Sequence, residues 1–177
     1  MFYNLKVNEE EMKKATVIGG SGFLGSHVAD RLCEKGFEVL IFDKIESPWL
    51  RTGQKMIVGD LLDESALKKA IENCDVVYNF AAIADIDEAL NKSVETVRVN
   101  ILGNAFALEA CRIAGVRRYI YASTVYVYSR EGGFYRCSKQ AAEHYVEEYQ
   151  RSYGLDYTIL RYGSLYGPRS DNRNGLW

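Results

Sequence analysis

The sequence has little that would mark a nucleic-acid, membrane or disulfide-bonded protein. Its 22 basic and 24 acidic residues leave a formal charge of −2. No strongly charged surface is therefore on offer to nucleic acid or to an anionic membrane, and neither is expected as a partner. No apolar run nears the roughly 20 residues that cross a bilayer. The start of the chain, through Glu9, Glu10 and Glu11, is too acidic for a signal peptide, which points to the cytoplasm. Cys33, Cys74, Cys111 and Cys137 form no CxxC pair, so they read as small buried thiols in a reducing compartment, not as a metal or redox set. Histidine is scarce too. His27 reads as a packing or capping residue and His144 as a surface one. There is no internal repeat, low-complexity tract or linker. At 47% hydrophobic the chain can bury one core, so residues 1–13 are expected to be an extension and 14–177 a single domain.

What is present is concentrated first in Thr16-Val17-Ile18-Gly19-Gly20-Ser21-Gly22-Phe23-Leu24-Gly25. A short apolar strand runs into a turn with glycines at 19, 22 and 25, and a helix opens at once. Such a turn lets the backbone approach a pyrophosphate, whose charge meets the free N–H groups of the helix start. The acid that should hold an adenosine ribose stands about 20 residues on, as Asp43 at the end of Glu38-Val39-Leu40-Ile41-Phe42.

Strands are expected at 15–19, 38–43, 55–58, 75–82, 117–124 and 157–162. Helices are expected at 23–35, 64–72, 85–90, 94–114 and 136–153. The strands show little polar alternation, as in a parallel sheet buried on both faces. Leu24, Val28 and Leu32 give the first helix a core stripe. Right-handed crossovers then favour an α/β doubly wound sheet, a Rossmann fold of order 3-2-1-4-5-6 with helices on both faces.

Two clusters add chemistry. Tyr135 and Lys139 lie four apart at a helix start and share a face, although chance alone can supply such a pair in a tyrosine-rich chain. Ser123 and Thr124 end a strand, where ligands of open α/β sheets bind.

In this order the motifs resemble the extended short-chain dehydrogenase/reductases, specifically the NAD-dependent sugar-nucleotide epimerase/dehydratase family, over nearly all of residues 14–169. Gly19, Gly22 and Gly25 match its GxxGxxG, with Phe23 and Leu24 between them, and Asp43 matches its acid. Gly59-Asp60-Leu61 is similar to the segment flanking the adenine, and Asn79-Phe80-Ala81-Ala82 to the fourth strand beside the dinucleotide. Asn100 falls at the family's helix asparagine. Thr124 falls at its catalytic Ser/Thr, and Tyr135 with Lys139 at its YxxxK.

The resemblance implies NAD as cofactor and a nucleotide sugar as substrate. Tyr135 would take a proton from a sugar hydroxyl, its pKa lowered by the Lys139 cation. Thr124 would orient the same oxygen, and Lys139 would also hold the nicotinamide ribose. An epimerase would work through a keto intermediate and return of the hydride; a dehydrogenase or reductase of the family, or a dinucleotide-binding module without turnover, are the alternatives. The family's sugar-binding lobe is expected to be absent, leaving an apolar patch to which Leu176 and Trp177 contribute.

Some positions depart from the pattern. Asn79 replaces a frequent histidine and Ser164 an asparagine, and the link from Thr124 to Tyr135 is short. Val125-Tyr126 stands where 4,6-dehydratases carry Asp-Glu, which argues against dehydration. Tyr126, Tyr128, Tyr162 and Tyr166 read as sheet-edge aromatics. Ser123 is the neighbour able to share Thr124's role, and Glu143, Glu147 and Glu148 read as a solvated helix face. Relatives dimerise through the helices equivalent to 94–114 and 136–153. With the stripe Ala142, Tyr145, Val146 and Tyr149, that implies a homodimer.

Overall fold

Apolar strands alternating with amphipathic helices leave one economical arrangement, a parallel sheet covered on both sides. A computed structural model describes residues 13–170. Leu176, Trp177 and all of the expected extension but Lys13 lie outside these. The strands are β1 (Lys14–Ile18), β2 (Glu38–Asp43), β3 (Gln54–Val58), β4 (Val76–Asn79), β5 (Arg118–Thr124) and β6 (Asp156–Tyr162). The helices are α1 (Phe23–Glu34), α2 (Glu64–Ile71), α3 (Ile86–Asn91), α4 (Ser93–Thr96), α5 (Asn104–Ala114) and α6 (Gly133–Tyr153). All neighbouring strands run parallel, in the order β3-β2-β1-β4-β5-β6, as expected.

Alternate strand residues feed two layers. Val17, Val39 and Ile41 pack with Ala29 and Leu32 of α1. Ile18, Phe42, Val77, Tyr119 and Tyr121 pack with residues of α2, α5 and α6 on the other face. Burial of each large apolar side chain contributes about 1.5–3 kcal/mol. Thr16, polar within this layer, donates its hydroxyl to the Ala70 carbonyl at 2.7 Å, which removes the cost of burying it.

Several expectations shift in detail. The core stripe of α1 is Gly25, Ala29 and Leu32, with Leu24 and Val28 half-buried. The cause is close approach: a Cβ on Gly25 would lie 2.2 Å from the Gly19 carbonyl oxygen, so the helix turns its glycine to the β1–α1 turn. The strand expected over 75–82 stops at Asn79, whose Oδ1 accepts from the Ala81 N–H and turns the chain away. The helix expected over 94–114 begins at Ser93 and passes through a π-helical segment, Val97–Gly103, before α5. The helix expected to begin at 136 begins at Gly133, which places Tyr135 in its first turn.

Tyr126 and Tyr128 are not sheet-edge residues. They belong to a 3-10 turn, Val125–Tyr128, which the Thr124 hydroxyl caps by accepting from the Tyr126 N–H. Tyr166 projects from the segment after β6 and is 82% exposed. The α6 stripe divides: Ala142 and Val146 are buried against the sheet, whereas Tyr145 faces outward. Of the cysteines, Cys74 and Cys111 are buried but Cys137 is exposed, against the reading of buried thiols. His27 packs as expected, its Nε2 lying 2.8 Å from the Pro168 carbonyl oxygen and its ring edge-on to Phe23.

Candidate functional site

Beyond the carboxyl ends of β1, β2 and β4 lies a cleft of about 400 Å³. Its walls include Gly19, Gly22, Asp43, Asp60 and Leu61, with Phe80, Ala81 and Ala82 from the end of β4. Gly19 sits at φ +77°, and a Cβ there would lie 2.6 Å from the Ala81 nitrogen, so only glycine lets β1 turn this close to β4. Helix α1 starts at Gly22 with no side-chain cap, which leaves first-turn N–H groups, including those of Phe23 and Leu24, without helical partners. Asp43 is held at the rim, accepting from Ser21 N–H at 3.0 Å and Ile45 N–H at 3.3 Å. Its carboxylate keeps lone pairs for a diol. An open glycine turn, an uncapped helix start and a fixed acid suit a dinucleotide.

The second half of the site gathers at the ends of β5 and α6. Thr124 is buried at the last position of β5, and its hydroxyl favours ionisation of the Tyr135 phenol by hydrogen bonding. Lys139 is buried, donates from Nζ to the Ala122 carbonyl at 2.8 Å, and lies 5.8 Å from the centre of the Tyr135 ring. Asn100 occupies the π-helical segment. Its Oδ1 accepts from Ile83 N–H at 2.8 Å, and its Nδ2 donates to the Ile83 carbonyl at 3.0 Å and to Ser138 Oγ at 2.9 Å. Asn100 thus ties the chain after β4 to the turn of α6 that carries Lys139.

Electrostatically the pair differs from expectation. Burial pushes the Tyr135 phenol above its usual value of 10, more than the Thr124 hydroxyl pulls it down. Burial also draws Lys139 down to about 7, against an upward pull from Glu143. The lysine therefore does not set the ionisation of Tyr135 here; desolvation does. A stability consequence follows. Because the unfolded lysine holds its proton up to about pH 10.4, the penalty for burying Lys139 is fully present below about pH 7. It fades as the pH rises toward the unfolded value. Lys139→Met should therefore gain more in melting temperature at about pH 7 than at about pH 9.5. Thermal scans of both proteins at both pH values measure this, and an equal effect at the two would contradict a buried, depressed lysine.

Three features add to the sequence reading or depart from it. Glu88, Lys92 and Glu95 also line the cleft, with Lys92 and Glu88 paired at 2.9 Å; the i,i+4 spacing of that pair was the available signal. Asn79 is buried, donating to Asn104 Oδ1 and Tyr119 Oη. Glu143 is not solvated. It is buried, accepts from the Ser123 hydroxyl, and binds Arg161 through two nitrogens. Its place four residues after Lys139 put it on the same inward face.

The NAD dependent epimerase/dehydratase family model matches residues 15–176. The chain belongs to this family. Among solved structures, the UDP-glucose 4-epimerase of Thermotoga maritima with UDP-glucose is similar at TM-score 0.84 and 29% identity, over 89% of this chain and 58% of that one. The Thermus thermophilus UDP-glucose 4-epimerase complex with NAD gives TM-score 0.83 and 34% identity, over 90% and 58%. A mouse dTDP-D-glucose 4,6-dehydratase is 31% identical over 88% of this chain and 51% of its own length. The chain thus spans between about half and three-fifths of the length of these three relatives.

Proposed function

We propose that the whole protein, of which this chain is at least a part, is an NAD-dependent epimerase of a nucleotide sugar, and that residues 14–177 form its cofactor domain. NAD would lie in the glycine-turn cleft, its adenosine ribose on Asp43 and its pyrophosphate at the start of α1. Bound there, it would supply the acceptor and then the donor of a hydride. The chain's own residues would manage the substrate oxygen: Tyr135 Oη would take and return the hydroxyl proton, and Thr124 Oγ1 would hold that oxygen in line. Lys139 would place the nicotinamide ribose.

The observation that carries the reading is the convergence of Thr124, Tyr135 and Lys139 beyond the end of β5. Epimerisation is favoured over dehydration because the turn after Thr124 presents Val125 and Tyr126, which lack the carboxyl groups that water elimination needs. Self-association through α5 and α6 belongs to the same proposal, supported by exposed Ile113 and Tyr145.

The test is product analysis. NAD-loaded whole protein would be incubated with UDP-, dTDP- and GDP-sugars and followed by proton NMR. An epimer without net NADH supports the proposal. Stoichiometric NADH would favour a dehydrogenase, and no conversion of any sugar would contradict both.

A further inference from the structure

Behind Lys139 stands a buried ionic cluster that the proposed reaction does not itself use. Glu143, one helical turn after Lys139, accepts from the Ser123 hydroxyl at 2.5 Å. It also takes two bonds from Arg161, Nε to Oε1 at 3.0 Å and Nη2 to Oε2 at 2.7 Å. Ser123 and Arg161 face each other across β5 and β6, and the next pair along is Thr124 with Tyr162. Arg161 continues outward to Tyr128 Oη in the 3-10 turn. One carboxylate therefore joins α6, the two strand ends and the turn that follows Thr124.

The surroundings of Lys139 explain why such a carboxylate matters. Its Nζ lies 4.8 Å above the centre of the Tyr121 ring and donates to a neutral carbonyl. Both contacts favour an ammonium weakly. The Tyr121 hydroxyl is buried with no partner among the described residues, and burial pushes its pKa well above the ordinary value, so it brings no charge. The ionisable groups acting near Lys139 are Tyr121 from β5, and Tyr135 and Glu143 from α6. Arg161 of β6 and Tyr128 of the turn stand behind Glu143, and Tyr126 faces Tyr135. Among these the one opposite charge is Glu143.

Resting on the site assignment above, we infer that Glu143 is a positioning residue. From one turn away its carboxylate favours the ammonium form of Lys139, and its clamp on Ser123 and Arg161 holds the strand end that presents Thr124. Burial alone would strip Lys139 of its proton near neutral pH, and Glu143 opposes this. Arg161 spends part of the Glu143 charge, so the two act on Lys139 with opposite signs.

The test reads Lys139 directly in the ligand-free chain. Side-chain ε-carbon NMR titration follows the lysines, with Lys139 identified by its loss in Lys139→Met. Glu143→Gln should move the Lys139 midpoint down by about one pH unit, the low end for a partner already shared with a cation. Arg161→Gln should move it up, because Glu143 then faces Lys139 uncompensated. Arg161 is partly exposed, so this variant decides the matter should Glu143→Gln not fold. A second arm measures NAD affinity against pH. Glu143→Gln should shift the fall in affinity to lower pH, whereas a merely structural role would weaken binding equally at every pH. Midpoints unchanged in both variants, or moved in the same direction, would overturn the inference. Failure of the wild-type chain to bind NAD would instead overturn the site assignment and leave the titration arm decisive.

Discussion

Tyr135→Phe in the whole protein should cut turnover by about two to four orders of magnitude, the usual worth of a positioned proton-transfer group. NAD affinity should stay within a few-fold. The substitution removes one hydroxyl and keeps the ring, and the ring is what packs near Lys139 Nζ. Burial holds the phenol above its ordinary pKa in the ligand-free site. Thr124, whose hydroxyl favours the phenolate, should cost less when changed to Ser than to Val. Single-turnover kinetics with fluorescence-monitored NAD binding separates the two effects. Turnover within a few-fold of wild type would remove Tyr135 from the reaction.

Gly25→Ala should be the most damaging small change in the cofactor half. Its new methyl would sit 2.2 Å from the Gly19 carbonyl oxygen and 2.9 Å from Gly20 Cα. Both are backbone atoms of the turn, so α1 must move away from β1. The cost should be about 3 kcal/mol, and NAD affinity should fall at least tenfold. Gly22→Ala separates packing from ligand contact. A Cβ there meets nothing nearer than 3.4 Å, so stability should hold while NAD binding weakens through lost backbone approach. Melting curves and NAD titrations of the two variants distinguish the cases. Equal stability loss in both would contradict the assigned roles.

Strand order, the glycine turn, Asp43 and the Tyr135–Lys139 spacing were all legible in the sequence, because each rests on local pattern: buried β-rich runs, a short turn, one helical repeat. The depth of the helices was not. Leu32 is buried as expected, but the contact at Gly25 rotates the helix so that Ala29 is buried with it, and Leu24 and Val28 are only half-buried. Glu143 was read as solvated because charge ordinarily marks an exposed face. Its partners, Ser123 and Arg161, are 20 and 18 residues away, and only the pairing of β5 with β6 brings them together. The direction of the Tyr135 shift was misjudged for the same reason, since spacing reports which groups share a face and not how much water reaches them.

Calorimetric titration of the chain with NAD and NADP tests the central claim most directly. The account predicts saturable NAD binding, weaker NADP binding because the Asp43 carboxylate repels a 2′-phosphate, and a narrowed difference in Asp43→Asn. Absence of NAD binding, or tighter binding of NADP, would contradict it.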